Sequence, residues 1–168
     1  DYSQSDAGPY YELLYIPGSL SFGKKRHLSI SKIYVSSWDS VVNGRENWGI
    51  PKEYCDFQVR YGANGVDEVR LVRDGQVIVE LAFKPRLFRL PFDGRLIPAR
   101  LRTLAQQFKG REFVYIPTAK GHVKPASLVH SRIDPRYFPD VSQGKVMACV
   151  KVIDFDMTFP VATVRYLD

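Results

Sequence analysis

A mainly β fold is what this sequence predicts, on three observations. Apolar side chains recur most often at every second position, the period of half-buried strands. The segments with that period are rich in aromatic and β-branched residues. Gly- and Pro-containing breaks divide them into about eight strands, which favours a closed barrel or a sandwich. A length of 168 residues suits a single domain over residues 1–168, and 45% hydrophobic with 25% charged residues is the composition of a chain with a core, not of a disordered one.

Taken in order, residues 1–9 read as a frayed polar lead-in that lacks the basic-then-apolar order of a secretory signal. Tyr10 to Ile16 is a strand with Tyr10, Glu12, Leu14 and Ile16 on one face and Tyr11, Leu13 and Tyr15 on the other. Between Leu28 and Val35 the apolar phase slips by one, which predicts a bulge near Ser31 and Lys32. Ser37 is placed to cap a short helix running to about Arg45. A strand follows at Tyr54 to Tyr61. Val69 to Arg73 and Gln76 to Phe83 flank Asp74-Gly75, a pair suited to a two-residue type I′ turn. Ile97, Leu101, Leu104, Ala105 and Phe108 recur at helical spacing, with Pro98 in the first turn and Gly110 as terminator, and predict a second helix. Strands are expected at Glu112 to Ile116, Ala126 to His130, Lys145 to Ile153 and Val161 to Leu167.

Several functional classes are excluded by composition and spacing. No apolar run approaches the roughly 18 residues needed to span a bilayer as a helix. Cys55 and Cys149 are too few for a disulfide framework and have no zinc-site spacing; two reduced thiols make the cytoplasm the expected compartment. His27, His122 and His130 show no metal-ligand spacing, so no metal is expected. Gly62-Ala63-Asn64-Gly65 precedes a hairpin, not a helix, which argues against a phosphate loop, and no GxSxG elbow is present. The formal charge is +6, and eight basic residues against Asp93 alone lie between Lys84 and Arg111. Without an accompanying nucleic-acid-binding motif that run reads as a solvated face or a contact between copies, and no nucleic-acid partner is expected.

The richest segment chemically is Gly44-Arg45-Glu46-Asn47-Trp48-Gly49-Ile50-Pro51-Lys52. Two glycines and a proline define a sharp path that ends on a lysine. A lysine nucleophile must be neutral. With a free pKa of about 10.4, only about one amine in 2500 is uncharged at pH 7, so an apolar pocket or a neighbouring cation must assist. A regular strand on to Tyr61 would put Lys52 in phase with Asp56, Gln58 and Arg60, on the polar face, unless a bulge beside Pro51 or a polar lumen intervenes. Arg45 and Glu46 read as a structural brace for the turn, and Trp48 as a packed aromatic.

The stretch GRENWGIPK resembles the Gly-Arg-Glu, aromatic, Gly, any residue, Pro, Lys pattern of the acetoacetate decarboxylase family, whose chemistry depends on an activated lysine. The similarity runs from about Tyr10 to the end and includes the Phe138-Pro139 and Phe159-Pro160 steps. It implies a cone-shaped, mostly antiparallel β-barrel and a cofactor-free lyase. Lys52 would form a Schiff base with a β-keto or related oxo acid. Glu12 matches a pocket carboxylate, and its apolar neighbours Tyr10 and Leu14 suit it to proton transfer. Trp48, Ile50 and Tyr10 are the expected pocket wall.

Three departures stand out. Glu53 replaces a usual second lysine, Ile50 replaces a frequent aromatic, and residues 1–9 hold no arginine to face a substrate carboxylate, so the family's N-terminal segment is expected to be missing. They keep open a barrel that binds a small hydrophobic or carbonyl ligand without decarboxylation, and a related cyclase or aldolase-dehydratase. The expected partners are a small-molecule carbonyl substrate or apolar ligand, with homo-oligomerisation open.

Overall fold

Fourteen strands and one α-helix order the described chain. The computed structural model describes residues 1–63, 65–142 and 144–167; Asn64, part of the Gly62–65 segment weighed above, lies outside the described residues. In sequence order the elements are β1 (Glu12–Tyr15), β2 (Ser19–Phe22), β3 (Lys25–Leu28), β4 (Lys32–Val35), α1 (Trp38–Trp48), β5 (Lys52–Tyr54), β6 (Asp56–Ala63) and β7 (Val66–Arg73). They continue as β8 (Gln76–Pro85), β9 (Leu90–Asp93), β10 (Leu104–Phe108), β11 (Arg111–Tyr115), β12 (Thr118–Ile133), β13 (Val150–Thr158) and β14 (Thr163–Tyr166). The mainly β class is as expected.

The chain forms two compact units. One comprises Asp1–Tyr54, Asp93–Ala119 and the residues from Met157 onward. It holds a three-stranded sheet, β1-β4-β5, and a five-stranded sheet, β14-β11-β10-β3-β2. Ile30, Ile33, Val35, Val41, Ile50, Leu104 and Tyr115 form its core cluster. Pairing is mostly antiparallel, but β4–β5 and β10–β3 are parallel. The other unit, Cys55–Phe92 and Lys120–Asp156, carries the sheet β13-β12-β8-β7-β6, with β9 also on β12. Its buried side chains include Leu71, Ile78 and Val79.

Local chemistry explains the best-anticipated elements. Ser37 caps α1, its Oγ accepting from the Ser40 amide, and Gly49 ends the helix in the left-handed region at φ 65°. Asp74 and Gly75 both have positive φ between the paired Arg73 and Gln76, as a type I′ turn requires.

Five expectations are corrected. The helix over Ile97 to Phe108 does not form: a 3-10 turn, Ala99–Leu101, precedes strand β10, which pairs along its length with β11. Lys109 and Gly110, both at positive φ, make the hairpin turn, so Gly110 closes a hairpin instead of stopping a helix. The phase slip at Ser31 and Lys32 is a change of sheet, not a bulge: β3 ends at Leu28 and β4 begins at Lys32 in a different sheet. The strand expected to start at Lys145 starts at Val150, and Tyr54 to Tyr61 is divided at Cys55 between β5 and β6. Residues 1–9 are not a frayed lead-in, because Tyr2 and Tyr10 exchange backbone hydrogen bonds of 2.9 and 3.0 Å and their rings stack at 4.8 Å.

Candidate functional site

Within the first unit, β1, α1 and β5 converge on Lys52. Parallel pairing sets Lys52 opposite Ile33 of β4, and antiparallel pairing sets Glu12 of β1 opposite Val35 of the same strand. β4 thus carries both reactive candidates on its two flanks. The approach to Lys52 is shaped by its nonapeptide. The Ile50 amide donates to the Gly44 carbonyl at 3.1 Å, and the Lys52 amide to the Ile50 carbonyl at 2.8 Å across Pro51, a tight three-residue turn. Arg45 Nε donates to the Lys52 carbonyl at 2.8 Å and so ties the helix to the strand it precedes. A Cβ on Gly44 would stand 2.6 Å from Cδ of Lys52 and 2.8 Å from Cε. The glycine is there to let the lysine stem pass along the helix. At Gly49 a Cβ would meet the Phe113 ring at 2.6 Å, in a backbone conformation that already disfavours side chains.

Lys52 is buried despite the polar phase assigned to it. The phase argument carried the pleat of β6 back through Cys55, where the chain passes from one sheet to another, so the register of Asp56, Gln58 and Arg60 has no bearing on Lys52. Lys52 Nζ lies 3.0 Å from Glu12 Oε2, and the two side chains are only 8% and 9% exposed. It also lies 2.9 Å from Ser40 Oγ, 3.4 Å from the Tyr10 hydroxyl and 5.0 Å from the centre of the Tyr10 ring. An ion pair this deep holds both charges away from solvent, so removing either partner strands the other out of water.

A cavity of about 300 Å³ opens beside the pair. Tyr10, Glu12, Trp48, Ile50 and Lys52, all expected at the site, line it. Trp48 is fixed by a 2.8 Å hydrogen bond from Nε1 to the Pro160 carbonyl and an edge-on contact with Phe159. Arg45 and Glu46 do not line it. Glu46 instead pairs with Lys109 and Arg111 at 2.7 and 3.1 Å, which holds its carboxyl below the usual range. Glu53 is turned to Lys32, and although burial lowers the Lys32 ammonium, hydrogen bonds with Glu53 and Tyr34 hold it above the usual lysine value.

Sequence reasoning missed Ser40, Asn43, Tyr2 and Phe159, which also line the cavity. Ser40 and Gly44 were detectable, since their i, i+4 spacing sets two small residues on one face of the capped helix. Tyr2 carried no such signal, because only chain closure brings it to Tyr10. Burial and the charge of Glu12, with which it hydrogen-bonds, push its hydroxyl well above the ordinary tyrosine range.

Fold and site together define a class: a mainly β protein with a buried lysine–carboxylate pair at the wall of a small cavity. Residues 1–149 match the acetoacetate decarboxylase (ADC) family, and the chain belongs to that family. Among solved structures it is similar to the crystal structure of acetoacetate decarboxylase from Legionella pneumophila subsp. pneumophila str. Philadelphia 1, at 15% identity and a TM-score of 0.66 over 94% of this chain and 67% of that one. At that identity the likeness is one of fold. No curated protein matches the chain.

Proposed function

We propose that the chain is a cofactor-free enzyme of the acetoacetate decarboxylase type, with Lys52 forming a Schiff base to a β-keto or related oxo acid. The observation that carries this reading is the Lys52 amine, buried at a cavity wall 3.0 Å from the Glu12 carboxylate. Moving one proton from Lys52 to Glu12 turns a buried ion pair into two neutral groups and frees the nitrogen lone pair. The amine adds to the carbonyl carbon to give a carbinolamine. Glu12 returns the proton to the hydroxyl, which leaves as water, and a protonated imine remains.

The bond from the α-carbon to the carboxylate then breaks. Its electron pair becomes the carbon–carbon double bond of an enamine, the imine π pair moves onto nitrogen, and carbon dioxide departs. Protonation of the α-carbon, with Glu12 relaying a proton from water, and addition of water regenerate Lys52 and release the ketone. The hydroxyls of Ser40 and Tyr10 face the nitrogen whose charge changes and suit it by orientation. The family match runs through residues of both compact units, which supports taking residues 1–168 as one domain of this family.

The test is incubation with acetoacetate and borohydride, followed by digestion and mass spectrometry. A reduced adduct on Lys52 is expected. Carbon dioxide release without such an adduct would refute the covalent mechanism. Lys52→Arg is expected to abolish both adduct and release while the far-ultraviolet circular dichroism stays that of a β protein.

Charge balance favours a second reading, a non-decarboxylating binder of a carbonyl or apolar ligand. Among the described lining residues Lys52 is already matched by Glu12, and Asp6 adds a further acid. Carbonyl ligands that bind without loss of carbon dioxide would support it.

A further inference from the structure

We infer that the cavity accepts a carbonyl compound bearing an unbranched apolar chain, of about eight or nine carbons in all, in preference to a four-carbon one. The inference rests on the carbonyl-binding reading above and names the class of molecule that fills the site. Size is the first argument. A cavity of about 150 Å³ holds a benzene ring, so the roughly 300 Å³ beside Lys52 corresponds to about twelve non-hydrogen atoms. Acetoacetate has only seven, whereas 3-oxooctanoate has eleven.

The chemistry of the wall is the second argument. The polar groups gather around one nitrogen, where Glu12, Ser40 and Tyr10 meet Lys52. Leu14, Ile30, Ile33, Ile50, Met157 and Phe159 supply an apolar lining. Ile30, Ile33 and Ile50 belong to the core cluster and are 3%, 1% and 2% exposed, so this wall is rigid. Ile33 sits in register with Lys52 itself, which places apolar surface directly alongside the amine. A four-carbon ligand seated on Lys52 would leave the partly exposed surface of Leu14, Met157 and Phe159 facing water, whereas a longer chain covers it. Each added methylene then tightens binding about fourfold until the space is full.

Trp48 lines the cavity and reports its occupancy, and Trp38→Phe removes the other indole, which stacks on Tyr54 outside the cavity lining. In that background, fluorescence titrations with acetone, 2-pentanone, 2-heptanone and 2-nonanone are expected to show dissociation constants falling about fourfold per carbon up to 2-nonanone, whose ten non-hydrogen atoms still fit the space. Leu14, which is 38% exposed and part of the apolar lining, offers the matching variant: Leu14→Ser is expected to weaken 2-heptanone at least fivefold, and by more than it weakens acetone. A flat series, or acetone binding best, overturns the inference.

Borohydride trapping of the same ketones separates this inference from the reaction. A rising affinity series with no Lys52 adduct for any ketone upholds the chain-length preference and removes the Schiff base. Adducts with acetone but none with 2-heptanone do the reverse. Consumption of 3-oxooctanoate faster than acetoacetate, at equal subsaturating concentration, extends the preference to the acids, and the opposite order overturns it there.

Discussion

Lys52 and Glu12 form a pair whose members are far more costly to remove singly than together. Glu12→Gln leaves the lysine charge buried beside a neutral amide, and the loss should be about 3–5 kcal/mol of unfolding free energy. Adding Lys52→Met to that variant should restore most of it, which urea unfolding of the two single variants and the double variant will show. Gly44→Ala makes a sharper distinction between stability and site. Alanine gains about 1 kcal/mol of helix propensity over glycine, while overpacking costs about 1–3 kcal/mol. Stability should therefore fall by no more than about 2 kcal/mol. The new Cβ overlaps the lysine stem, however, and must push Nζ away from Glu12, so borohydride-trapped adduct should fall at least tenfold. Glu12 and Lys52 were both legible as candidates, because each sits in a recognisable local pattern. Their 3.0 Å approach was not, since forty residues separate them and β4 alone brings them together.

Among the elements, α1 and the Asp74-Gly75 hairpin were readable because their causes are local: a serine cap, a left-handed glycine and two residues able to take positive φ. The segment Leu104–Phe108 was misread as helix for the opposite reason. Its apolar spacing suits either state, and pairing with β11 decided the matter. The link between α1 and the β10–β11 hairpin gives a pH-dependent prediction. Lys109 and Arg111 depress the Glu46 carboxyl below its ordinary value of 4.5. A depressed carboxyl adds stability that is complete above its unfolded pKa and is lost as pH falls through the lower folded one. Glu46→Gln should thus lower the melting temperature at neutral pH, and the gap to the parent should narrow steadily below pH 4.5. A gap that stays constant down the acid range would show that the two ion pairs contribute nothing.

At the scale of the whole molecule, the two compact units need separate probes. Cys55 and Cys149 both belong to the second. Burial, with the neighbouring Asp56 charge, pushes the Cys55 thiol up to about 11, and its Sγ donates to the Val72 carbonyl at 3.3 Å. At pH 8 only about one Cys55 in a thousand is a thiolate. A disulfide reagent should therefore modify Cys149 first and Cys55 only at the rate at which that unit unfolds, and equal rates would contradict the burial of Cys55. The sequence by itself determined the mainly β class, the capped helix, the hairpin and the nonapeptide that ends on Lys52. Each depends on alternation, caps and turn residues, interactions between near neighbours in the chain. Only the tertiary structure decided that Lys52 points inward, that Glu12 meets it and that Tyr2 closes over Tyr10. Those outcomes follow from which strands pair and where the chain changes sheets, and pairing is a choice between distant segments that no local pattern records.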